Sequence, residues 1–146
     1  MHVDHVGLSV GDLDAQTAWY QQAFGFETAL PFEISVVGLR GVFLLGPDEL
    51  AIELLEKRGS VHPPVGDSPP NGLLQQGWAH VCFRVEDVQA TFDHLVSLGA
   101  GVVAPPGRAP EPAVTFAFVT DPEGNFLELL DRSESVHGRH AHWSGA

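Results

Sequence analysis

A chain that matches itself at a fixed offset is confined to architectures built from two copies of one supersecondary unit, and this sequence matches itself at an offset of 75 residues. Residues 4–13, Asp-His-Val-Gly-Leu-Ser-Val-Gly-Asp-Leu, fall on residues 79–88, Ala-His-Val-Cys-Phe-Arg-Val-Glu-Asp-Val. Without any gap, residues 46–56 then fall on residues 121–131, so that Ala-Ile-Glu-Leu-Leu meets Phe-Leu-Glu-Leu-Leu. His5 pairs with His80, and Glu53 with Glu128.

Each half reads in the same order. A short alternating strand is followed by Asp12 or Asp87, which can cap a helix by accepting from its first free amides. Leu13, Thr17, Tyr20 and Phe24 form one helical stripe, and Val88, Phe92 and Leu95 form its counterpart. Gly25 and Gly99 stop the helices. Strands are expected over residues 32–37, 41–45 and 50–55, and again over 102–104, 115–120 and 126–130. The fold expected is therefore α+β, with two βαβββ modules at residues 1–56 and 78–132 forming a cupped mixed sheet. Residues 57–77, with Pro63-Pro64 and Pro69-Pro70, read as a linker or a lid over a site. Residues 133–146, with His137, His140 and His142 and no apolar periodicity, read as a disordered tail.

Composition narrows the function classes. At 146 residues and 44% hydrophobic, the chain suits one globular domain. No run approaches the roughly 20 apolar residues of a membrane helix, and the first ten residues lack a signal-peptide core, so a cytoplasmic protein with no membrane partner is expected. The lone Cys82 allows no internal disulfide and fits a reducing compartment. A net charge of −12 with scattered Lys and Arg disfavours nucleic acid as a partner.

Strand parity then groups the ionisable residues. Val6, Leu8 and Val10 share one face of the first strand while His5, Gly7 and Ser9 share the other; Val81, Phe83 and Val85 likewise oppose His80, Cys82 and Arg84. Ile52 and Leu54 oppose Glu53, and Leu127 and Leu129 oppose Glu128. If the aliphatic face packs under the helices, both His and both Glu line the other one. A buried carboxylate is costly unless paired or bound to metal, and no Lys or Arg stands next to Glu53 or Glu128 in sequence. One divalent cation held by His5, Glu53, His80 and Glu128 satisfies all four, and this N/O donor set suits Zn, Ni, Co, Mn or Fe. A single His on a strand is more often structural; it is the recurrence of both pairs at one offset that favours ligation.

Taken together, His5 in Asp-His-Val-Gly-Leu-Ser-Val, Glu53 in Ala-Ile-Glu-Leu-Leu, His80 in Ala-His-Val-Cys-Phe-Arg-Val and Glu128 in Asp-Pro-Glu-Gly-Asn-Phe-Leu-Glu-Leu-Leu resemble the vicinal oxygen chelate superfamily over residues 2–132. That superfamily includes glyoxalase I, methylmalonyl-CoA epimerase, extradiol dioxygenases, and the fosfomycin- and bleomycin-resistance proteins. The resemblance implies a glyoxalase-like fold around a metal site, a small-molecule substrate and a homodimer. Glu at the second ligand position matches the glyoxalase I pattern, where epimerases usually have Gln. Ser9, however, stands where glyoxalase I commonly has an Arg for glutathione. The activity implied is a metal-dependent lyase, isomerase or epimerase that stabilises an enediolate or enolate, with Glu53 or Glu128 as catalytic base and with Arg84 and Ser9 as substrate contacts. Alternatives within the same fold are a metal-independent antibiotic-binding resistance protein, with Trp19, Trp78 and the phenylalanines stacking the drug, and an Fe(II) extradiol-type dioxygenase using His5, His80 and Glu128.

Overall fold

The computed structural model describes residues 3–62, 67–74, 76–110 and 113–132. The chain forms two compact units, Met1–Pro64 and Val65–Ala146. Pro63-Pro64 and the histidine-containing tail fall outside the described residues.

In the first unit, β1 (Val6–Val10) leads into α1 (Leu13–Phe24), followed by β2 (Glu27–Ile34), β3 (Leu39–Leu45) and β4 (Ala51–Lys57). The sheet order is β1-β4-β3-β2, with β1 parallel to β4 and the other pairs antiparallel. Asp12 begins α1 by accepting from the Ala15 amide, and Gly25 ends it at φ 69°, a left-handed conformation that glycine adopts without a Cβ clash. The stripe that α1 buries is rotated from the expected one: Leu13, Gln16, Trp19, Tyr20 and Ala23 are buried, whereas Thr17 and Phe24 are only half-buried. Beneath α1 lie Val42, Leu44, Ile52 and Leu54, all at most 4% exposed. Val6, expected on this core face, is exposed at the start of the edge strand β1.

The second unit repeats the plan. A short helix α2 (Pro69–Gly72) precedes β5 (Val81–Arg84), α3 (Val88–Ser97), β6 (Gly101–Arg108), β7 (Thr115–Thr120) and β8 (Phe126–Leu130), in the sheet order β5-β8-β7-β6. Asp87 caps α3 through the Ala90 amide, and Val88, Phe92 and Leu95 are buried as the periodicity predicts. Between β7 and β8, the buried Asp121 carboxylate accepts from the Glu123 and Asn125 amides and from the Asn125 side chain, which closes the Asp-Pro-Glu-Gly-Asn turn. This is the α+β plan of two βαβββ units that the repeat implies.

Candidate metal centre

In each unit one face of the sheet is taken by the helix, so the residues of opposite parity line the other. Gly7 stands opposite Glu53, and Glu53 opposite Phe43. In the second unit Cys82 stands opposite Glu128, and Glu128 opposite Phe118. Each histidine lies one residue before its first strand, His5 before β1 and His80 before β5, on the parity of its glutamate.

The side chains meet as that register requires. His5 Nε2 lies 3.5 Å from Glu53 Oε2, and His80 Nε2 lies 3.1 Å from Glu128 Oε2. Both imidazoles are about a third exposed and both carboxylates about a fifth, with side-chain exposures of 34% and 19% in the first pair and 34% and 21% in the second. Among the described residues the histidine is the sole ion-pair partner of each glutamate. Neither unit alone places three or more His, Cys, Asp or Glu side chains so that they could hold a metal ion, among its described residues. Each unit therefore brings together two of the four sequence-predicted ligands.

This donor chemistry fits a divalent cation. Each unit presents one imidazole nitrogen beside one carboxylate oxygen, and among the described residues no Lys or Arg forms an ion pair with either carboxylate. In the first unit, His5 Nδ1 is also 2.9 Å from Asp4 Oδ2, the kind of carboxylate contact that orients metal-bound histidines, and a proton held on Nδ1 would leave Nε2 as the donor for a cation. Asp4 is a residue that sequence reasoning missed, as are Phe43 and Phe118, whose rings meet His5 and His80 edge-on. The signal for the two phenylalanines was present, because they too stand 75 residues apart.

Other candidates fall into place around these pairs. Ser9 and Arg84 occupy equivalent exposed positions on the site faces of β1 and β5. Cys82 is accessible yet crowded, and desolvation together with the adjacent Glu128 carboxylate pushes its thiol up to about 12, which keeps it protonated and unreactive at neutral pH. Trp19 is a core residue at 6% exposure, packed edge-on against Tyr20, so it is not available to stack a ligand; Trp78 is fully exposed.

Two βαβββ units, each carrying a His–Glu pair on the face away from its helix, define a protein of duplicated modules. The model of the Glyoxalase/Bleomycin resistance protein/Dioxygenase superfamily matches residues 2–129, and the chain belongs to that superfamily. It is 33% identical to an ethylmalonyl-CoA/methylmalonyl-CoA epimerase from Cereibacter sphaeroides, over 87% of this chain and 95% of that one. It is 28% identical to a probable lactoylglutathione lyase from Vibrio cholerae, over 92% and 93% of the two chains. Among solved structures, glyoxalase I from Zea mays superposes with a TM-score of 0.74 at 24% identity, over 91% of this chain and 45% of that one, so the present chain spans about half its length. No helix among the described residues is long and apolar enough to cross a membrane.

Proposed function

We propose that this chain is a metal-dependent enzyme that moves a proton on the carbon beside a carbonyl group, as a lyase, isomerase or epimerase. His5, Glu53, His80 and Glu128 would hold one divalent cation, drawn from Zn, Ni, Co, Mn or Fe. The observation that carries this reading is the duplicated His–Glu pair, set on the same face of both sheets at one sequence offset. Such a cation supplies Lewis acidity toward a carbonyl oxygen, favouring the negative charge that develops as the neighbouring carbon loses its proton.

The remaining steps fall to the protein. Glu53 or Glu128 accepts the substrate proton and returns it, to the same carbon in an epimerase or to the adjacent one in an isomerase. Arg84 offers its guanidinium to a substrate carboxylate, and Ser9 offers a hydroxyl at the equivalent place. Phe43 and Phe118 flank the two pairs with apolar surface and limit the access of water. The names of the relatives support the reading, because epimerisation of an acyl-CoA thioester and a lyase acting at lactoylglutathione both turn on a carbon next to a carbonyl.

Elemental analysis of untagged protein is expected to find one divalent metal per set of four ligands. His5→Ala and His80→Ala should each lose most of it while keeping the strand content of the wild type. Full occupancy in both variants would refute the ligand set. The reaction is then assigned by supplying methylmalonyl-CoA and a 2-oxoaldehyde–glutathione adduct to the loaded protein and following the release of label from the α-carbon.

A further inference from the structure

The geometry points to Phe43 and Phe118 as positioning residues, which hold the His5 and His80 imidazoles in the orientation that turns Nε2 toward the neighbouring glutamate; the inference rests on the metal-binding reading above. The two contacts are nearly superposable. The His5 and Phe43 ring centroids are 5.1 Å apart at 88°, and those of His80 and Phe118 are 5.3 Å apart at 88°. Phe43 is also the cross-strand partner of Glu53, and Phe118 that of Glu128, so one phenyl abuts both members of each pair. A histidine ring turns readily about its outer torsion, where the preference is broad, and these rings sit at strand ends with a third of their surface exposed. A phenyl set edge-on removes that freedom on one side.

Each phenyl has a second ring behind it. Phe32 lies 6.2 Å from Phe43, and Phe116 lies 6.0 Å from Phe118. Phe32 is seated over Gly41, where an added Cβ would come within 2.3 Å of its ring. The outer ring comes from β2 in the first unit and from β7 in the second, yet the inner contact with histidine is the same. Two sheets with different outer packing thus keep one His–Phe–Glu arrangement.

The units differ in one further support. Asp4 holds Nδ1 of His5, whereas Ala79 occupies the matching position before His80. His5 is therefore steadied twice, and His80 depends more heavily on its phenyl.

The test is titration of metal-free protein with Co²⁺ against a competing chelator, with the Co²⁺ absorption spectrum and thermal melting recorded on each variant. Loss of an outer support of a metal ligand typically costs 10- to 100-fold in affinity. Phe118→Leu is expected to weaken Co²⁺ about 10-fold or more, and Phe43→Leu by less. Asp4→Asn combined with Phe43→Leu should be worse than the product of the single effects, because both supports of one ring are gone, whereas Asp4→Asn with Phe118→Leu should give the simple product. Phe43→Tyr, which keeps a ring in place, should retain wild-type affinity. Phe43 is only half-buried, so the cycle at His5 stays readable even if Phe118→Leu lowers the melting temperature. Wild-type Co²⁺ affinity in Phe43→Leu, in Phe118→Leu and in the Asp4/Phe43 double variant would overturn the inference and leave the ligand set standing. Failure of the wild type itself to bind Co²⁺ would overturn both.

Discussion

Glu53 and Glu128 are each asked to serve as ligand and as proton acceptor, and at the scale of single residues these two roles separate by one substitution. Glutamine keeps the length, the shape and one coordinating oxygen, but not the basicity. Glu53→Gln and Glu128→Gln should therefore stay folded, and the variant that has lost the base should exchange the substrate α-hydrogen with deuterated solvent about 10² to 10⁴ times more slowly. The comparison is made after reloading both proteins to equal metal content, so that a lost cation cannot imitate a lost base. Wild-type exchange in both would remove glutamate from the proton transfer. Strand parity was enough to bring His and Glu to one face, because alternation is fixed by the backbone. Asp4 was not legible as a partner of His5, and the shared offset of Phe43 and Phe118 matched them to each other without placing them against the histidines. An acidic residue at a chain end resembles ordinary surface, and a phenylalanine in an apolar strand resembles ordinary core, until the neighbouring strands are seen to align them.

Elements are tied together by one network in the first unit. Glu56 in β4 accepts from the Leu13 amide at the start of α1 and from Arg40 in β3, whose guanidinium also approaches Asp14. The Arg40 hydrogen bond and the Leu13 amide hold the Glu56 carboxyl below its ordinary value of 4.5. A depressed folded value means that the stabilisation is present above the ordinary carboxylate range and is lost as the pH falls through the folded value. Glu56→Gln is thus expected to melt below the wild type at pH 7, with the gap closing at pH values under about 4.5. A constant gap across that range would show that the charge of Glu56 is irrelevant. In the second unit the buried Asp121 serves three N–H groups of the turn, and Asp121→Ala should cost roughly 3 kcal/mol in urea unfolding, the range expected when a buried hydrogen-bonded charge is deleted.

The helix starts and the strands β3, β4, β7 and β8 follow the sequence pattern closely, since caps and alternation are local signals. The edge strands β2 and β6 do not. β2 begins at Glu27, five residues before the expected start at Phe32, because a bulge between Ala29 and Phe32, with Leu30 at φ 46° beside Pro31, hides its period. Residues 35–37, expected as strand, form a 3₁₀ turn. β6 runs on through Pro105 and Pro106 to Arg108, which an outer strand tolerates because one side needs no amide donor. The four-residue α2 lies in the stretch read as linker or lid, too short to leave a periodic trace.

On the scale of the whole molecule, the pairs themselves set the demand. On the metal-binding reading proposed above, the cation would take more donors than the two that one unit offers, so its site would draw on two units. Each sheet also ends in open strands: β2 and β6 are blunted by proline, whereas β1 and β5, which follow the two histidines, carry none. A homodimer is the expected assembly, and the charge of −12 per chain makes it best measured near 0.15 M salt, where screening acts over about 8 Å. Light scattering should give twice the mass of the 15.7 kDa chain, and a monomer at every usable concentration would refute the assembly. Mixing then locates the site. His5→Ala and His80→Ala chains are unfolded together, refolded and loaded with metal. If a site joins the first unit of one chain to the second unit of its partner, each mixed dimer has one site with both histidines and one with neither, and it regains one tightly held ion. If each site is completed within a single chain, the mixture binds no better than either variant alone.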